Sequence, residues 1–178
     1  MFQIQDIDPK VYRTNTRNAT IRIMALFILV GFSTSYGFYS LFDNPHNPLT
    51  IQIMGALMGL VLVFWITAKF FKDKPWMAEA MYGWKLKRSL MHITNAMRQL
   101  QEKVAAGDVE AMKLLRFYHL GVTQMYTLEQ NTSGLIDLKA EKEQLEAQML
   151  ELGLDIEQTT FDLAKLKAVV GEPKDITN

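Results

Sequence analysis

Cysteine is missing from all 178 residues. Its absence removes disulfides, thiolate nucleophiles and Cys-ligated zinc or iron–sulfur centres together, fits a reducing compartment, and leaves histidine and carboxylate chemistry. Signals for that chemistry are also missing. There is no Gly-rich phosphate loop, no Ser-His-Asp order with a nucleophile elbow, and no pair of carboxylates that helical periodicity would force together. None of the three histidines, His46, His92 and His119, has a ligand-type neighbour three or four residues away on its own helix face. No metal, cofactor or catalytic residue is therefore expected, and the chain reads as a non-enzyme. No stretch alternates in polarity as a half-buried strand does. Net charge is zero, with 19 Lys and Arg against 19 Asp and Glu. That balance conceals two segregations, of apolar residues into the first 70 positions and of charge along the rest.

The chain length fits one membrane anchor and one small domain, about 50 and roughly 100 residues, and excludes a large enzyme. The 20 residues 23–42, IMALFILVGFSTSYGFYSLF, carry no charge, and at 1.5 Å per residue such a helix covers the ~30 Å hydrocarbon core. A second uncharged run, TIQIMGALMGLVLVFWITA, occupies 50–68, and its helix is expected to reach 71. The connector 43–49, with Asn44, Pro45, His46, Asn47 and Pro48, is short enough to force an antiparallel hairpin. Lys10, Arg13, Arg17 and Arg22 precede the first run, and Lys69, Lys72 and Lys74 follow the second, whereas the connector has no Lys or Arg. Cationic flanks resist translocation, so both termini are expected in the cytoplasm. Tyr36, Tyr39, Trp65, Phe70, Phe71 and Trp76 fall where an aromatic belt would lie. The first run is long for a signal peptide and no A-x-A-like site follows it. Small residues recur four apart at Gly31 and Ser35, Ser33 and Gly37, and Gly55 and Gly59. This spacing lets helices approach closely, either Gly55 and Gly59 on Gly31 and Ser35 within one hairpin, or between copies.

Pro75 opens a stretch without further proline, and one long helix is predicted over 76–105. Leu86, Leu90, Ile93, Met97, Leu100 and Val104 follow the 4-3 spacing of a helical seam. Gly107 ends that helix and Asp108 caps the next, which runs to about 128 with an apolar surface wide enough for contacts on two sides. A third helix begins near Ser133. Its heptad positions hold Leu135, Leu138, Leu145, Met149 and Leu152, with Lys142 where an apolar residue would fit. Asp162 caps a short helix through Val170. The predicted architecture is an all-α membrane protein, a two-helix transmembrane hairpin followed by a cytoplasmic antiparallel helical bundle or coiled coil. Its parts are an N-terminal cytoplasmic segment 1–22, spans 23–42 and 50–71, an external connector 43–49, a helical domain 75–170 and a flexible tail 171–178. Residues 69–128 hold ten Lys and Arg against five Asp and Glu, net +5, whereas 129–178 hold five against eleven, net −6. Lys69, Lys72 and Lys74 stand where anionic headgroups add ~1 kcal/mol per cation. The aromatics Trp76, Tyr82 and Trp84 lie too near the bilayer for this basic part to suit nucleic acid.

The stretch from Gly107 to Gly121 resembles the first helix of a partner-binding solenoid repeat, but it occurs once, and solenoids need several stacked copies. A wider resemblance rests on three blocks: Ile7-Asp8-Pro9 with Tyr12 and Arg13, the run from Pro75 to Leu90, and the run from Ala111 to Gly121. Together they are similar to a bacterial family of small two-span inner-membrane proteins known as a domain of unknown function. The resemblance implies the bacterial inner membrane and carries no activity or ligand. The function expected is a non-enzymatic inner-membrane protein that self-associates or serves as an accessory or scaffold subunit. Its partners would be the lipid bilayer and either a second copy or other membrane-protein subunits, not nucleic acid. One alternative is a pore-forming or transport-associated subunit with Asp43 at its outer mouth. Another is a tethered enzyme built around Arg116, Tyr118 and His119.

Overall fold

Asp8 and Pro9 begin the first helix. The Asp8 Oδ1 accepts hydrogen bonds from the backbone N–H groups of Lys10 (2.7 Å) and Val11 (3.0 Å), and Pro9 takes the first helical position, where a missing N–H costs nothing. In the computed structural model, which describes residues 1–42 and 47–171, α1 then runs unbroken over Pro9–Phe42. Residues 9–22 are thus the first turns of the helix that contains the apolar run. Asp43 and His46 lie outside the described residues, as does the predicted tail beyond 171.

The other helices are α2 (Pro48–Ile66), α3 (Ala78–Asn95), α4 (Met97–Ala105), α5 (Val109–Glu129), α6 (Thr132–Glu151) and α7 (Leu163–Val170). A π-helical turn over Thr67–Phe71 extends α2, and a 3-10 turn over Pro75–Met77 leads into α3. Among the described residues the fold is all-α apart from one short ladder. There β1 (Phe2–Gln3) pairs antiparallel with β2 (Thr160–Phe161), Phe2 opposite Phe161 and Gln3 opposite Thr160. Sequence patterning predicts no strand, and two residues are too few to show alternation; the pairing is made by partners some 160 positions apart.

The chain divides into two compact units, Tyr12–Met81, and Met1–Val11 with the described part of Tyr82–Asn178. In the first, α1 and α2 are the two helices long and apolar enough to cross a membrane. The chain after α2 returns to α1 within this unit: Asn15 Nδ2 donates to Glu79 Oε1 at 2.7 Å, and the Arg22 guanidinium lies 5.2 Å from the Trp76 ring centroid.

In the second unit α5 is central. Asp108 accepts from the N–H groups of Glu110 (2.9 Å) and Ala111 (3.1 Å) at its start, and Gln130 ends it in the left-handed conformation. Its buried residues face both sides, as the wide apolar surface requires. It meets α4, α6, α7 and β2, and Gly121 lets α3 approach closely, since a Cβ there would sit 2.8 Å from Leu90 Cδ2. Phe117 stacks on Phe161 at 5.3 Å and meets Phe2 edge-on at 6.3 Å, so the ladder closes over the helical core. The single helix predicted over 76–105 is interrupted. At Ala96 the backbone N–H bonds Ile93 O, three residues back, at 3.0 Å, a tightened turn that separates α3 from α4.

Candidate functional site

The predicted positions fall into three places. Within the hairpin, a Cβ at Gly55 would stand 2.7 Å from Ser35 Cα and 2.7 Å from Thr34 O, and one at Gly59 would stand 2.8 Å from Gly31 Cα. These distances are shorter than any side chain tolerates, so Gly31, Ser35, Gly55 and Gly59 lie on one close contact between α1 and α2. Ser35 Oγ adds a hydrogen bond across it, donating to Gln52 O at 3.0 Å. The other small pair is turned elsewhere: Ser33 is exposed, and a Cβ at Gly37 would meet nothing within 4 Å.

At the end of α2, Lys69, Lys72 and Lys74 are all exposed. The Lys69 Nζ lies 5.5 Å from the Trp65 ring centroid, and Trp65 contacts Phe70 edge-on. A lysine ammonium over an exposed indole ring suits a boundary between apolar and aqueous surroundings. Further along, the seam residues Leu86, Leu90, Ile93 and Leu100 are buried within the single chain, and Met97 is half-buried.

Met97 belongs to a feature that seam periodicity does not reveal. An open cleft of about 790 Å³ lies between α4, α5 and α6. Met97, Val104, Met112, Leu115 and Leu145 supply its apolar lining. Glu141, Gln144, Gln148 and Glu151 face it from α6, and Gln101 faces it from α4. That 141-144-148-151 stripe, at helical spacing, lies exposed along the open cleft. The spacing was visible in the sequence as a second stripe beside Leu145 and Leu152, with nothing to show that it borders a cleft.

His119 also lines the cleft and is 2 % exposed. Its Nδ1 is buried without a hydrogen-bond partner among the described residues. Burial first, then the charges of Arg116 and Lys142, lower its pKa from the ordinary 6.5 to about 4, so the imidazole is neutral at neutral pH. Arg116, one turn earlier and 3 % exposed, does not line the cleft. Its Nε donates to Ile156 O at 2.9 Å, and its Nη1 lies 3.0 Å from Glu146 Oε2. These contacts tie α5 to α6 and to the segment before β2. Arg116 and His119 lie one turn apart on α5, the first as an internal brace and the second at the cleft wall. Among the described residues no three His, Asp or Glu side chains gather as a metal-binding group.

Fold and site together define the class: an all-α protein with two helices of membrane-crossing length and apolarity, and a separate helical unit that carries an open cleft. The family model described as "Protein of unknown function (DUF3087)" matches residues 2–166, and the chain belongs to that family. No curated protein and no solved structure matches it.

Proposed function

We propose that the protein is a non-enzymatic integral protein of the bacterial inner membrane, with both termini cytoplasmic, which associates with a second copy or with other membrane-protein subunits. The observation that carries this reading is the uncovered apolar surface of α1 and α2. Phe32, Tyr36 and Phe64 are 75 %, 74 % and 74 % exposed, and 23–42 and 50–68 contain no Asp, Glu, Lys, Arg or His. Such a surface far exceeds the apolar patches that water-soluble monomers tolerate, and lipid is the solvent that accommodates it. The positions of Lys69, Lys72 and Lys74 support contact with anionic headgroups.

Because the Gly55 and Gly59 face is used within the hairpin, association between hairpins is assigned to the outward Ser33 and Gly37 face. Mass measurement in mild detergent tests this. The wild type is expected as an oligomer, and Gly37→Leu, which has open space within the hairpin, is expected to shift it toward the monomer without loss of helicity. Gly55→Leu is expected to disrupt the hairpin itself, because its Cβ would meet backbone that cannot move aside. A strictly monomeric wild type rejects self-association.

A further inference from the structure

We infer that the outward face of α3 rests on the anionic headgroups of the membrane crossed by the hairpin, with Trp84 at the lipid boundary and Lys85 and Arg88 on lipid phosphates. The inference rests on the membrane reading and deepens it, because α3 lies beyond both apolar helices. Its inner face is fixed by the buried Tyr82, Leu86, Ser89, Leu90 and Ile93. On the opposite side Trp84, Arg88 and Met91 follow at 4-3 spacing, and Trp84 and Met91 are each 52 % exposed. A helix face that met only water would be polar along this line.

Charge and the indoles identify what covers it. Residues 80–101 contain no Asp or Glu and hold Lys85, Lys87, Arg88 and Arg98. Lys85 and Arg88 are exposed beside Trp84, while Lys87, toward the other edge of the face, lies 2.6 Å from Glu129 Oε1. An exposed indole among cations is the composition of a helix that lies in a membrane interface. Each of the three tryptophans, moreover, has a cation over its ring: the Lys69 Nζ is 5.5 Å from the Trp65 centroid, the Arg22 guanidinium 5.2 Å from that of Trp76, and the Arg88 guanidinium 5.1 Å from that of Trp84. Trp65 stands near the end of the apolar α2, so α3 repeats, outside the spans, the pairing found at the boundary of one.

The covalent chain favours a lipid surface over a diffusing polyanion. Phe71 ends the π-helical turn after α2, and Ala78 begins α3. With at most ~3.6 Å per residue between them and ~1.5 Å per residue along the helix, Trp84 stays within about 35 Å of Phe71. The membrane is thus always at high effective concentration, and a small gain from each cation is enough to hold the face on it.

The test uses the full chain in vesicles of phosphatidylcholine brominated on its acyl chains just below the headgroup, with or without phosphatidylglycerol. Two variants each keep one indole: Trp65→Phe with Trp76→Phe leaves Trp84, and Trp76→Phe with Trp84→Phe leaves Trp65. With phosphatidylglycerol present, Trp84 fluorescence is expected to be quenched by the brominated lipid and shielded from aqueous acrylamide. Both effects should be lost without phosphatidylglycerol or at high salt. Adding Lys85→Gln and Arg88→Gln, both at exposed positions, should also remove them, with helicity unchanged. Trp84 left unquenched by lipid and open to acrylamide overturns the proposal, as does quenching indifferent to phosphatidylglycerol and to the charge variant. Shielding without quenching assigns the face to a protein partner and overturns it too. Trp65 reports on the hairpin separately: if it is unquenched, the membrane reading fails, whereas quenching of Trp65 without that of Trp84 rejects only the docking of α3.

Discussion

His119 and Arg116 lie one turn apart on α5 and show how burial treats two basic side chains differently. Arg116 holds Glu146 and the Ile156 carbonyl. The imidazole Nδ1 has no hydrogen-bond partner among the described residues, and desolvation, with the nearby Arg116 and Lys142 charges, lowers its pKa to about 4. When unfolded it titrates near ~6.5. Between those values the unfolded chain binds a proton that the folded chain refuses, so stability is lost as pH falls from about 6.5 to about 4 and no more is lost to this group below. The full effect is on the order of 3 kcal/mol. Urea unfolding followed by circular dichroism at pH 7 and pH 4.5 is expected to show this loss in the wild type and a flatter dependence in His119→Leu; parallel curves would refute it. The sequence places His119 one turn from Arg116, but whether either is buried depends on α6 and the 152–159 segment, which come later in the chain.

Among the elements, α5 is the one on which the second unit depends, and its start rests on one side chain. Asp108→Ala removes both acceptor contacts, to Glu110 N and Ala111 N, and is expected to cost about 1 kcal/mol, read as a lower urea midpoint, with Asp108→Asn costing much less. This cap, like that of Asp162 on α7, was legible because an N-cap is a local motif. The same rule applied to Asp8-Pro9 would have located the start of α1. The interruption at Ala96 was not legible, because Asn95 and Ala96 are compatible with a continuous helix and the tightened bond to Ile93 O leaves no residue signature. The β1–β2 ladder was hidden for a different reason: its strands are two residues long, and their pairing is stabilised by the contacts of Phe2 and Phe161 with Phe117.

For the whole molecule, the absence of cysteine is an experimental convenience, since single cysteines can be introduced without background. In intact cells, a cysteine at position 47 is expected to react with a membrane-impermeant maleimide. Cysteines at positions 10 and 103 are expected to react only after permeabilisation, as the cationic flanks of the hairpin demand. Labelling of position 10 or 103 in intact cells would overturn the proposed orientation. Each compact unit joins chain segments distant in sequence, Met1–Val11 with the helices beyond Tyr82 in one, and α1 with the turns after α2 in the other. The sequence by itself determined the two apolar helices, the cationic flanks and the capped helix starts, because each depends on composition or on neighbours within a turn. Only the tertiary structure decided that Gly55 and Gly59 meet Gly31 and Ser35 within one hairpin, that Leu86, Leu90, Ile93 and Leu100 are buried within one chain, and that the polar stripe of α6 borders an open cleft. These depend on which face of each helix meets which partner, and spacing along one helix fixes a face without naming what covers it.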